Sequence, residues 1–307
     1  MTRMMTRMND ISLKTKAPSE ICDVVIDTDA YNEIDDQFAI AYLLKARDRV
    51  NIKAIYAAPF LNARSTSPED GMNKSYREIL HLLSLANEER PVFRGSASYL
   101  EGENTPVNSD AARDLVKRAC HYSPEHPLYV VAIGAITNVA SAILMDKRIV
   151  DKIVVIWLGG HAHHYHDTKE FNMYQDIAAA RVVMKSGVAL VQLPCMGVVS
   201  SFTISAPELA SWFLGKNPLA DYLAHNTIEE MGGMEKSLGR SRCIWDLAAA
   251  AWLLNDGERF MKSCIIPTRI PTYEGIYSNE VCEHSMRYVY YVDRDALLCD
   301  MIKRLTE

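Results

Sequence analysis

The sequence predicts an α/β fold: a mostly parallel central sheet with helices on both faces, followed by a helical C-terminal elaboration. Three observations lead there. Short apolar, β-prone runs alternate with segments of helical period up to residue 193, the βαβα order of a parallel sheet. With 49% hydrophobic content over 307 residues, the chain can bury a large core. Polar and acidic clusters fall directly after the apolar runs, where the carboxyl ends of parallel strands hold ligands.

The elements follow in order. Met1 to Lys16 carries Arg3, Arg7, Lys14 and Lys16 but no apolar stretch of the kind a secretory signal needs. Residues 1–20 are expected to be a flexible tail and 21–307 a single domain. Cys22–Ile26 reads as a strand. Asp35–Ala46 reads as a helix, with Phe38, Ala39, Tyr42 and Leu43 on one face. Ile52–Ala58 is a second strand and Lys74–Leu85 an amphipathic helix. Tyr129–Ile133 is a strand that passes through Gly134 into a helix near Asn138–Leu144. Ile153–Leu158 is a strand ending at Gly159-Gly160, Ile177–Lys185 a helix and Val188–Leu193 a further strand. After Pro194 the pattern turns helical: Ala206–Leu214, Pro218–Glu230 and Asp246–Leu254. A strand at Met286–Val292 and a helix near Asp295–Leu305 close the chain. Met231-Gly232-Gly233-Met234 reads as a loop, and no repeat or linker marks a domain boundary.

Net charge is −6 and the basic residues are scattered, which points away from nucleic-acid and membrane partners. Seven cysteines, odd in number and without CxxC spacing, argue against a disulfide framework or a zinc site and fit a reducing cytoplasm.

The chemistry concentrates in Asp27-Thr28-Asp29 and Asp35-Asp36. Four carboxylates within ten residues repel one another unless a positive charge sits among them. A helix N-terminus offsets only about 0.3–1 kcal/mol per acid, whereas a hard divalent cation accepts several carboxylates in one small volume. Asp35 and Asp36 could instead cap the following helix. Glu170-Phe171-Asn172 follows the Gly159-Gly160 loop and could hydrogen-bond sugar hydroxyls. Asp246, in Ile244-Trp245-Asp246-Leu247, opens an apolar helix, and plain capping is its default reading.

Together these segments resemble the nucleoside hydrolase family of calcium-dependent N-ribohydrolases, over roughly Cys22 to Asn255. The motifs that carry the resemblance are the aspartate-rich first strand end, Gly134-Ala135-Ile136-Thr137-Asn138, the Gly-Gly loop leading to Glu170-Phe171-Asn172, and the late Asp246. The resemblance implies a Rossmann-like core and hydrolysis of ribonucleosides to free base and ribose through an oxocarbenium-like transition state. It implies one Ca²⁺ per subunit, held by Asp29, Asp36, Asp246 and the backbone carbonyl of Ile133. Asp29 would also be the general base for the attacking water. Asp35, Glu170 and Asn172 would hold the sugar, and the subunits would form a homodimer or homotetramer.

The chain departs from the family pattern in three places. The spacer Ala30 to Ile34 is longer than usual. Ala57-Ala58-Pro59-Phe60 stands where an asparagine is common, leaving Asn62 as the nearest substitute. Trp245 stands where one branch has a histidine, and could stack on the base or simply fill the core. His161-Ala162-His163-His164-Tyr165-His166 is expected to be a lid, with His166 reaching the substrate; His284 and Tyr288 are further base-side candidates. Two alternatives remain at this level: a Mg²⁺-dependent phosphatase of the haloacid dehalogenase class, and a calcium-dependent ribosyl-binding protein without turnover.

Overall fold

The computed structural model describes residues 11–278 and 282–307. An eight-stranded sheet runs through the middle in the order β3-β2-β1-β4-β5-β6-β10-β9. Its strands are β1 (Cys22–Thr28), β2 (Val50–Ala57), β3 (Val92–Arg94), β4 (Leu128–Ile133), β5 (Ile153–Leu158), β6 (Ala189–Leu193), β9 (Met261–Pro267) and β10 (Ser285–Val292). All neighbours pair in parallel except β9, which runs antiparallel along β10. A separate two-stranded antiparallel sheet pairs β7 (Thr203–Ser205) with β8 (Ser241–Cys243).

Alternation along the strands supplies both layers. In β1, Val24 and Ile26 face one core while Val25 faces the other. The first core packs helices α1 (Asp35–Lys45), α8 (Pro218–Glu230), α9 (Trp245–Trp252) and α10 (Arg294–Thr306) on the sheet. The second packs α3 (Asp110–Ala119), α4 (Thr137–Met145) and α6 (Ile177–Ser186) on the opposite face. Every residue of α1 from Asp35 to Leu44 is buried. Helices α2 (Pro68–Leu85) and α7 (Ala206–Trp212) also bury residues in the first core, and α5 (Phe171–Gln175) adds Met173 to the second.

The sheet order locates the site. From β1 the chain moves outward through β2 to β3, then crosses back to place β4 on the other side of β1. The gap beyond the carboxyl ends of β1 and β4 is therefore the topological switch point, where such sheets bind ligands. Asp29 follows β1 there, and Gly134 follows β4.

Several sequence expectations are corrected. Of the expected tail, residues 1–10 lie outside the described residues; residues 11–14 form a turn of helix, and Arg287 of β10 donates to Thr15 Oγ1 at 3.0 Å and to Ser12 O at 2.6 Å. The C-terminal region is less purely helical than expected, since β7, β8 and β9 lie within it. Strand β3 and helices α3 and α5 also went unanticipated.

Candidate active site

Two helices begin at the switch point without a side-chain cap. Asp35 and Asp36 are the first two residues of α1, Asp246 is the second of α9, and neither Ile34 nor Ile244 ahead of them offers a capping oxygen. Capping of their own helices, the default reading for Asp246 and the alternative for Asp35 and Asp36, is thus not supported by a side-chain cap at either helix. Their carboxylates turn inward, and one oxygen from each of Asp35, Asp36 and Asp246 lies within 4.8 Å of the others. The Asp246 N–H reaches Asp35 Oδ2 at 3.4 Å, and Thr28 Oγ1 donates to Asp36 Oδ1.

Asp29 is an electrostatic neighbour of this group and not one of its three members. It is fully buried, and both of its oxygens lack a hydrogen-bond partner, as do Asp35 Oδ1 and Asp246 Oδ1. Gly134 makes room for it: a Cβ there would sit 3.1 Å from Asp29 Cγ and from Ala58 Cβ. Ile133, whose carbonyl was expected to be a ligand, ends β4 directly opposite Thr28.

Burial first, then mutual repulsion, pushes the Asp29 and Asp246 carboxyls well above the usual carboxylate range; burial and the neighbouring Asp35 do the same to Asp36. Asp35 is raised to about 7 by burial and by Glu33, with Arg242 opposing. Buried, unpartnered carboxylate oxygens are costly unless paired with charge. The donor set is all hard oxygen, which suits Ca²⁺ or Mg²⁺ and not a thiolate-seeking metal. Ligands at about 2.3–2.6 Å from one calcium ion lie no more than about 5 Å apart, so the grouping of Asp35, Asp36 and Asp246 fits a common ion.

A cavity of about 210 Å³ opens above the cluster. Asp29, Asn32, Glu33, Asp35 and Asp246 form its floor side; His161, Lys169, Glu170, Phe171, Asn172, Cys195, Met196 and Trp245 line the rest with Leu158. Glu170 is the N-cap of α5, and its carboxylate accepts from the backbone N–H groups of Gly160, Asn172 and Met173 at 2.8–3.0 Å. It shapes the loop as much as it lines the cavity. Asn172 Nδ2 donates to Leu158 O at 3.1 Å, which leaves its Oδ1 as the polar group for a ligand. Half-buried Trp245 stands on the wall at the start of α9.

Three residues expected to reach the substrate are not among those that line this cavity. His166 points outward, 89% exposed, against Asp167; the lid instead buries Ala162 and sends His161 to the cavity. His284 precedes β10 and therefore lies at the amino ends of the parallel strands, packed on Gly187 at the far edge of the sheet from the cluster. Asn62 does not line the cavity; its Nδ2 donates to Asn32, which does, at 2.6 Å. Tyr288 supports the lid from below through its hydroxyl, which accepts from the His163 N–H at 3.2 Å. A strap near residues 272–278 closes over the lid, with Gly275 O accepting from Thr168 N and Tyr277 Oη donating to His161 O. Gly160, at φ +78°, passes so close to Tyr277 that a Cβ would lie 2.3 Å from its hydroxyl. The sequence signal for Cys195 and Met196 was their position just after β6; Asn32 and Lys169 flank motifs already singled out.

Residues 24–297 match the family model described as inosine-uridine preferring nucleoside hydrolase. The chain belongs to the nucleoside hydrolase family. It is a glycosidase that hydrolyses N-ribosyl bonds, and membership sets aside the phosphatase alternative. Among its relatives is the non-specific ribonucleoside hydrolase RihC of Escherichia coli (strain SMS-3-5 / SECEC), 27% identical over 253 residues that span 71% of this chain and 79% of that one. RihC of Shigella flexneri is 28% identical over the same shares. The fold matches the plant nucleoside hydrolase PpNRh1 with a TM-score of 0.75 at 20% identity, covering 93% of this chain and 99% of that one. It also matches the purine-preferring ribonucleoside hydrolase of Gardnerella vaginalis, with a TM-score of 0.73 at 19% identity over 92% and 98%. No described helix is long and apolar enough to cross a membrane.

Proposed function

We propose that this nucleoside hydrolase cleaves ribonucleosides to base and ribose with one Ca²⁺ at the carboxylate cluster, Asp29 serving as general base. One observation carries the reading: Asp29 presents two buried, unpartnered oxygens beside the clustered carboxylates of Asp35, Asp36 and Asp246. Asp29, Asp36, Asp246 and the Ile133 carbonyl would hold the ion. When bound, calcium would neutralise the cluster, raise the acidity of a water and fix vicinal sugar hydroxyls.

The remaining chemistry belongs to the chain. Asp29 takes the proton of the attacking water as the bond at C1′ breaks through an oxocarbenium-like state. Asn172 Oδ1, fixed by the bond from Nδ2 to Leu158 O, faces the sugar and stabilises its developing positive charge. Asp35 accepts from a ribose hydroxyl. Trp245 stacks on the base, which favours purine leaving groups. The likeness to the family also supports a homodimer or homotetramer, and the cysteine usage supports a reducing, cytoplasmic compartment.

Parallel assays with p-nitrophenyl riboside and p-nitrophenyl phosphate, each with Ca²⁺ or Mg²⁺, test the reading. Release of nitrophenol from the riboside alone, best with calcium, is the expected result. Tight binding of nucleosides without any release of ribose would replace hydrolysis by the ribosyl-binding alternative.

A further inference from the structure

The long spacer between Asp29 and Asp35 brings a side chain into the cavity that the family motifs do not include. The Asn32 N–H donates to Asp29 O at 2.7 Å, which folds the spacer back and sets the Asn32 side chain on the wall beside Asp29 and Asp35, 7% exposed.

The direction of its amide follows from a chain of donors with one solution. The backbone N–H of Arg64 can only donate, and it donates to the Asn62 side chain at 2.8 Å, so the atom it meets is Oδ1. The other end of that amide, Nδ2, can only donate, and it does so to Asn32 at 2.6 Å. The accepting atom must be Asn32 Oδ1. Asn62 itself is fixed further by the bond from its N–H to Ser65 Oγ at 3.2 Å. Asn32 Nδ2 is thereby left over. It bonds neither oxygen of Asp29 nor Asp35 Oδ1, all three of which have no partner. Among the described residues no acceptor is found for it. An amide donor on a cavity-lining residue, oriented by Asn62 and without an acceptor among the described residues, is set for a ligand acceptor, and a hydroxyl is the acceptor a pentose offers.

We propose that Asn32, oriented by Asn62, reads a secondary hydroxyl of the pentose through Nδ2. The assignment rests on the ribohydrolase reading for its substrate class. Asn62 is then a positioning residue: it acts through Asn32 and does not touch the sugar. The pair takes over the task left open where Ala58-Pro59 follows β2, and it ties sugar recognition to the length of the spacer.

The test uses Asn32→Ala, Asn32→Asp, Asn62→Ala and the double Asn32→Ala/Asn62→Ala in the full chain with calcium. Asn32→Asp keeps the acceptor for Asn62 but removes the donor, so it separates loss of recognition from loss of folding. Two readouts are taken: kcat/KM on p-nitrophenyl riboside, and calorimetric binding of D-ribose, 2-deoxy-D-ribose and 3-deoxy-D-ribose. Each Asn32 variant should lose about tenfold or more in kcat/KM, with the melting temperature of Asn32→Ala unchanged and Asn32→Asp, which adds a carboxylate beside Asp29 and Asp35, compared with the wild type at saturating calcium. Asn62→Ala should lose less, and nothing further once Asn32 is already Ala. Asn32→Ala should weaken ribose about tenfold while binding one of the two deoxy sugars as the wild type does. Equal weakening of all three sugars, or additive losses in the double variant, would overturn the proposal. A wild type that binds ribose but leaves the riboside intact would remove the hydrolase reading alone.

Discussion

Asp36 and Asp246 hold the same place in two different helices, the second residue of each, and neither spends its carboxylate on the helix it opens. The positive ends of α1 and α9 still help, by about 0.3–1 kcal/mol per acid, but the carboxylates face each other. The need for a counterion near Asp29, Asp35 and Asp36 was legible in the spacing of the acids, but Asp27, the fourth acid of that run, turns to Asn138 instead, and Asp246 was joined to the group only by the family resemblance. The partition of roles was less so: the three acids that group most closely are Asp35, Asp36 and Asp246, with Asp29 beside them. Side chains on the lid were the least legible, because a run of histidines carries no periodicity to say which one turns inward. Asp29→Ala is expected to remove the general-base contribution, a factor of about 10²–10⁴ in kcat, with the fold retained in circular dichroism. Near-normal ribose release by that variant would take the role from Asp29. Trp245→Ala should cost far more on purine ribosides than on p-nitrophenyl riboside, whose leaving group needs little help; equal losses would remove base stacking.

At the scale of elements, the site depends on a buried amide that fastens three strands and a helix. Asn138, in the first turn of α4, donates to Asp27 Oδ1 of β1 at 2.8 Å and to Ala57 O at the end of β2 at 3.4 Å, and accepts from Ser96 N at 2.8 Å and Ser96 Oγ at 2.9 Å after β3. It thus holds the end of β1 and the turn after β3 together, and fixes Asp27, which burial raises to about 7. Asn138→Ala should lower unfolding stability by about 2–3 kcal/mol in urea titration, since it strands several buried polar groups. A change within about 0.5 kcal/mol would show that the network bears little of the fold. The parallel strands β1, β4, β5 and β6 were readable as apolar runs, and α1 and α8 as helical periods. Strand β3 escaped because it has three residues and packs only at the sheet edge. Strand β9 escaped because its alternating exposure mixes Lys262, Cys264 and Pro267 into an edge pattern.

For the whole molecule, the carboxylate cluster couples metal, pH and stability. Without metal, the raised carboxyls bind protons in the folded state that the unfolded chain has already lost. Their contribution is fully present below the unfolded value near 4 and disappears as pH rises through the folded value, which is about 7 for both Asp27 and Asp35. Metal-free protein should therefore lose thermal stability steadily between pH 4 and 7. Calcium in hundredfold excess over its dissociation constant should restore about 2.7 kcal/mol at neutral pH and flatten that slope. Melting curves with and without chelator across this range check both signs, and a stability rising with pH in the chelated protein would contradict them.

Ribose release during calcium titration of the metal-stripped enzyme, with inosine or uridine as substrate, is the decisive measurement. Equal amounts of base and reducing sugar should appear only as calcium fills one site per chain, and Asp246→Asn should shift that titration to higher calcium. Full activity from protein verified to hold less than a tenth of an equivalent of divalent metal would contradict the account.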